Sequence, residues 1–239
     1  MVSMMETLDG GLFDPIATSA GFMLAPVDEV LDALVTWQRG ISSVESVSVD
    51  RVRDAFPYAL AGLDPLVRGG RDKYPLCDVG NGWTAYFDNG ALGSDPDSAV
   101  GHLTRAHLWQ GVLLDCTPTY PSRNGGVQFT LLSPLRTDWL NYVRTVSLTE
   151  DGGRWSFNLS GTPQPFEDLE QYNARRKVDR FTPEMLREYC EALGFDPFDW
   201  THYELTYLIS TELNWTPTHI SLTERRAQLG IATAEPTDH

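Results

Sequence analysis

Residues 140–159 read LNYVRTVSLTEDGGRWSFNL, and their pattern decides the fold class. Leu140, Tyr142, Val146 and Leu148 recur at even spacing, and Trp155, Phe157 and Leu159 do the same. Even spacing places side chains on one face of an extended chain. Between the two runs stands Glu150-Asp151-Gly152-Gly153, whose glycines accept the positive φ angles of a tight turn. The stretch is expected to form a β-hairpin. Arg144 falls on the apolar face of its first strand, which calls for a buried carboxylate partner or a bulge.

The same alternation continues upstream. Val112, Leu114 and Cys116 form one set; Val127, Phe129 and Leu131 form another. Four neighbouring strands with short turns predict an antiparallel meander and argue against βαβ units. Further back, Trp83, Ala85 and Phe87 alternate with Thr84, Tyr86 and Asp88, the pattern of a half-buried strand that Asn89-Gly90 would close. Residues 44–49 and 203–209 are also expected to be strands.

Helices are marked by their ends. Pro26 precedes a stripe of Val27, Val30, Leu31, Leu34 and Val35 that Gly40 stops. Asp50 is read as the cap of a short helix interrupted at Pro57. Asp95-Pro96-Asp97 predicts a capped helix with Val100 and Leu103 inward, joined by Ala106 or His107. Thr182-Pro183 starts another, with Phe181 and Leu186 placed for a hydrophobic staple. Residues 166–177 read as a helix with acids first and bases last, and residues 221–229 as a short terminal one. The expected architecture is α+β: an antiparallel sheet of about five to seven strands, with helices packed mainly on one face. Residues 1–20 are expected to be a flexible N-terminal arm, 21–232 a single α+β domain and 233–239 a frayed C-terminal end.

The 239 residues carry 33 acids against 18 bases, a formal charge of −15, and neither half of the chain is basic. This balance argues against non-specific nucleic-acid binding and against anionic membrane surfaces. It favours a basic protein as partner. Lysine occurs only at 73 and 177; the arginine excess is the mark of GC-rich codon use. Cys77, Cys116 and Cys190 lie among apolar neighbours and read as buried hydrophobes in a reducing compartment. No basic leader and no run of about 20 apolar residues is present. The expected compartment is the cytoplasm.

The sequence holds no GxSxG, HExxH, GxGxxG or P-loop pattern. His102 and His107 are five apart, which sets them about 140° apart around a helix and unable to share a metal. Asp95-x-Asp97 lacks the later ligands of a calcium loop. Gly69-Gly70 stands beside Arg68 and Arg71 as a weak anion-binding signal. Arg175-Arg176-Lys177 is the one basic run, and it reads as pairing with Glu167, Asp168 and Glu170. No catalytic residue, cofactor or metal is expected. The leading expectation is a non-enzymatic, acidic protein-binding protein, for example an immunity or inhibitor protein covering a basic toxin or nuclease surface. Asp88, Asp95, Asp97, Glu150 and Asp151 are its candidate docking residues. The alternative is a small-ligand binder or enzyme whose site assembles from distant residues, with Tyr86, Arg144, Arg175 and Arg176 as candidates. A structural or assembly component is the third expectation.

Overall fold

A computed structural model describes residues 8, 10–204 and 206–231. Eleven strands are found: β1 (Ser19–Leu24), β2 (Val44–Val52), β3 (Leu66–Arg68), β4 (Lys73–Asp78), β5 (Trp83–Tyr86), β6 (Gly111–Thr117), β7 (Gly126–Leu132), β8 (Tyr142–Asp151), β9 (Arg154–Gly161), β10 (Thr206–Leu213) and β11 (Thr218–Ile220). Four α-helices accompany them: α1 (Val27–Arg39), α2 (Asp97–His107), α3 (Pro183–Ala192) and α4 (Leu222–Leu229).

Nine strands form one antiparallel sheet in the order β2-β10-β4-β5-β1-β6-β7-β8-β9, larger than the five to seven expected. The β6–β9 half is the expected meander. The additional strands are the ones that alternation does not mark. β1 begins inside the expected N-terminal arm, at Ser19, and β4 contains Pro75. The described part of that arm belongs to the interior: Leu8, Phe13, Ile16 and Ala17 are buried, and β1 sits mid-sheet between β5 and β6. Residues 1–7 and 9, and the expected frayed end at 233–239, lie outside the described residues.

The helices do not share one face. α1 and α2 cover one side, packing on Met23, Leu76, Tyr86, Leu113 and Ile209. The N-terminal segment and α3 cover the other, over Phe22, Cys77, Trp83, Phe129 and Leu148. Both sides of β5 are therefore buried, which replaces the half-buried reading of Trp83–Asp88. On the α3 side Phe195 stacks on Phe22 at 4.6 Å and meets Trp83 at 4.7 Å with the rings tilted. Truncating such a ring leaves a cavity costing about 3–5 kcal/mol.

Local signals hold where the ends were marked. Thr182 accepts from the Met185 amide, and Ser221 and Glu224 form a reciprocal capping box. Three segments differ. Asp50 does not cap a helix, because β2 continues to Val52 and pairs there with Thr206 of β10; a 3₁₀ helix follows Pro57, over Tyr58–Leu63. Asp95 does not cap α2 either. Pro96 holds the cap position and Arg71 takes the Asp95 carboxylate. Residues 166–177 form no α-helix. The Asp168 carboxylate accepts from the Glu170 and Gln171 amides, a turn that competes with helix, and two short 3₁₀ turns result.

The strand containing Arg144 resolves both ways at once. The β7–β8 register shifts between Leu131 and Leu132, leaving Val143 as the extra residue. Leu140 is exposed at φ 54° before the strand starts, and Tyr142 faces the α2 side. Arg144 then shares the opposite face with Val146 and Leu148 and meets Glu167 there.

Candidate functional site

One cavity lies where α1 and α2 meet over β4, β5 and the end of β10. It has a volume of about 310 Å³. Trp37 comes from α1, because Gly40 ends the helix just after it. Trp215 comes from the turn after β10. The Asn214 side chain donates to the Ser42 carbonyl at 3.0 Å and its amide to Ser43 at 2.9 Å, which ties this turn to the start of β2. The Trp215 ring lies against Gly70, where a Cβ would stand 3.3 Å from the indole.

Tyr74 and Tyr86 form the floor, side by side on β4 and β5 with ring centroids 6.2 Å apart. Tyr86 is 1 % exposed, and its hydroxyl makes no hydrogen bond. The Tyr74 hydroxyl donates to the Arg71 carbonyl at 3.1 Å. Burial pushes the Tyr74 hydroxyl up to about 12 and raises Tyr86 well above its ordinary value, with the Asp88 charge adding to both. Neither phenol ionises in the neutral range; both remain neutral hydroxyls.

Arg71 supplies the charge. Its Nε lies 3.0 Å from the Asp88 carboxylate, and its Nη2 meets Asp95. Asp88 is fully buried. It accepts from the Gly90 amide and the Asp95 amide, each at 3.0 Å. Burial raises its carboxyl to about 6, against the opposing pull of Arg71 and the two amides. The arginine is thus already neutralised at the cavity wall, with one carboxylate to spare.

Asp88 is interior, which removes it from any docking surface. Asp95 is exposed but paired with Arg71, and exposed Asp97 accepts from the Tyr142 hydroxyl. Glu150 accepts from the Thr119 hydroxyl, and Asp151 is exposed at the far hairpin. Tyr142 and Asp151 are the two ends of β8, so these acid pairs are separated by about 30 Å of strand and form no joint patch. Tyr86 lines the cavity. Arg144 lies on the opposite face and four strands away, about 19 Å across the sheet. Arg175 is exposed, and exposed Arg176 pairs with Asp179 at 3.0 Å; the structure does not bring them to Tyr86.

Sequence reasoning missed Arg71, Trp37 and Trp215 as cavity residues. The Gly69-Gly70 pair next to Arg71 was the available signal, and its use is the close approach of Trp215. All three cysteines are buried. Among the described residues no group of three or more His, Cys, Asp or Glu could hold a metal, and no helix is long and apolar enough to cross a membrane.

Compared with known proteins, the chain matches no family model, no curated protein sequence and no solved structure.

Proposed function

We propose that this chain binds a small planar organic molecule, neutral or cationic, in the cavity between α1 and α2. The carrying observation is the buried Tyr86 ring, whose hydroxyl is left without a partner on the floor of an aromatic-walled space. That hydroxyl retains access to the cavity, so a ligand can supply its hydrogen-bond partner. Trp37, Trp215 and Tyr74 offer ring faces for stacking or for a cation. The pairing of Arg71 with two carboxylates, together with the net charge of −15, disfavours an anionic ligand. This is the distant-residue site that the alternative sequence reading allows. The acidic protein-docking reading rests on net charge alone, since the named acids do not converge. The burial of all three cysteines among apolar side chains supports a reducing compartment.

Benzamide, benzamidine and benzoate serve as neutral, cationic and anionic probes. Tryptophan fluorescence and thermal shift are measured with each. Quenching and a higher Tm with benzamide or benzamidine, absent with benzoate and weakened in Trp215→Ala, is the expected result. No response to any probe, or a response unchanged in Trp215→Ala, sinks the proposal.

A further inference from the structure

Three arginines from separate parts of the chain gather beside α4, and none of them lines the cavity. Arg225 of α4 donates through Nε to the Ala91 carbonyl at 2.6 Å and through Nη1 to the Gln228 side-chain oxygen at 3.2 Å. Arg68, at the end of β3, donates through Nη2 to that same oxygen at 3.4 Å. Two guanidinium groups therefore share one neutral acceptor. The third, Arg123, sits in the turn between β6 and β7. It reaches Thr117 at 3.5 Å through Nη2. Its Nη1 is shielded from solvent with no hydrogen-bond partner and lies beside Gly93 of the loop that Arg225 grips.

None of the three makes an ion pair. Two acids lie within electrostatic reach, Asp115 facing Arg123 and Glu224 facing Arg68, but their hydrogen bonds go elsewhere. Glu224 accepts from the Ser221 amide and hydroxyl, and buried Asp115 accepts from the Ser19 hydroxyl. Burial and the like charges of Arg68 and Arg123 hold the Arg225 guanidinium below its ordinary value. Three clustered cations without a close ion pair are unexpected in a protein with nearly two acids for each base. Like charges held together repel; a bound anion relieves this and gains charge-assisted hydrogen bonds.

We infer that Arg68, Arg123 and Arg225 form an anion site for a phosphate group, at the junction of α4, the 90–93 loop and the β6–β7 turn. The guanidinium fork suits the oxygens of a phosphate dianion. The group can arrive as free phosphate or on a small phosphomonoester. The site is independent of the aromatic cavity.

Calorimetric titration of the whole protein with inorganic phosphate and with glycerol phosphate tests this at low salt. At least one is expected to bind, with affinity falling about tenfold or more in Arg225→Ala. Tighter binding of glycerol phosphate than of phosphate identifies the ester as the source, and the reverse identifies the free ion. Exposed Arg68→Ala repeats the test should Arg225→Ala unfold, and Arg176→Ala, on a remote surface, should leave binding unchanged. Absence of binding by both anions overturns the inference. So does binding that survives loss of the cluster arginines.

Discussion

Arg144 and Glu167 meet as a two-point ion pair with almost no access to water. The arginine is 3 % exposed and the glutamate side chain 1 %. Arg144 donates through Nε at 2.9 and 3.1 Å and through Nη2 at 2.6 Å. The remaining valences are filled as well. Arg144 Nη1 donates to the Gly161 carbonyl at 3.2 Å, while the Gln164 amide and the Tyr172 hydroxyl donate to Glu167 at 2.6 and 2.8 Å. Tyr172 and Tyr189 are hydrogen bonded at 2.7 Å, which carries the network to α3.

Removing one member of this pair strands the other. Glu167→Ala is expected to lower unfolding stability by about 3–5 kcal/mol in urea melts. Replacing both, as Arg144→Met with Glu167→Leu, should recover a large part of that loss. Equal destabilisation by the single and double variants would show that the pair itself, and not the stranded charge, dominates.

Asp88 gives a pH dependence of defined sign. Its carboxyl is raised from 3.8 to about 6 in the folded protein, so the native state holds the proton more tightly than the unfolded chain. Its contribution is most favourable below about pH 4 and declines as pH rises through about 6, by on the order of 3 kcal/mol. Asp88→Asn removes the titration. The stability of the unmodified protein relative to this variant should fall between pH 4 and pH 7. A difference that rises over that range would contradict the raised value.

Tyr86→Phe separates folding from binding. No described residue hydrogen-bonds the hydroxyl, so stability should change by less than about 1 kcal/mol. Binding of benzamide or benzamidine should weaken by several-fold, on the order of 1 kcal/mol for one lost hydrogen bond. Tyr86→Ala should instead cost about 3–5 kcal/mol by leaving a cavity. Unaltered probe affinity in Tyr86→Phe would remove the hydroxyl from the site.

Gly161 ends β9 at φ 78°, and a Cβ there would stand 2.0 Å from the Val143 carbonyl oxygen. Gly161→Ala should destabilise by well over about 1 kcal/mol. Gly152, at φ 55° in the β8–β9 turn, has open space around it, so Gly152→Ala should cost less. Comparison of the two denaturation midpoints isolates the backbone collision from the φ preference. Equal midpoints would mean that the Val143 bulge moves aside.

What was legible in the sequence follows from how local each cause is. The meander from β6 to β9 and the ends of α1, α3 and α4 depend on alternation, caps and glycines within a few residues. They were read correctly. β1 and β4 are buried on both sides, so they carry no alternation to read. Asp50 and Asp95 have good capping chemistry, but pairing with β10 and with Arg71 overrides it. Tyr86 was singled out in the sequence. Its neighbours Arg71, Trp37 and Trp215 come from positions far along the chain and have no shared local pattern. Arg68, Arg123 and Arg225 are further cases: each is an isolated arginine until the fold gathers them.

The strand order also dictates a sequence of events. The hairpin partners of β6 to β9 follow one another along the chain, so that half can zip together as soon as it exists. β1 cannot: Ser19 waits for Asp115, 96 positions later. β2 waits longer, since Ser46 finds Glu212 only after 166. Contacts of such reach slow folding, because the loop they close must be ordered first. On a ribosome the central meander would be the template, and the earliest-made strand β1 would be recruited to it late. The outer edge of the sheet would be completed last of all, when β10 arrives and slots between β2 and β4.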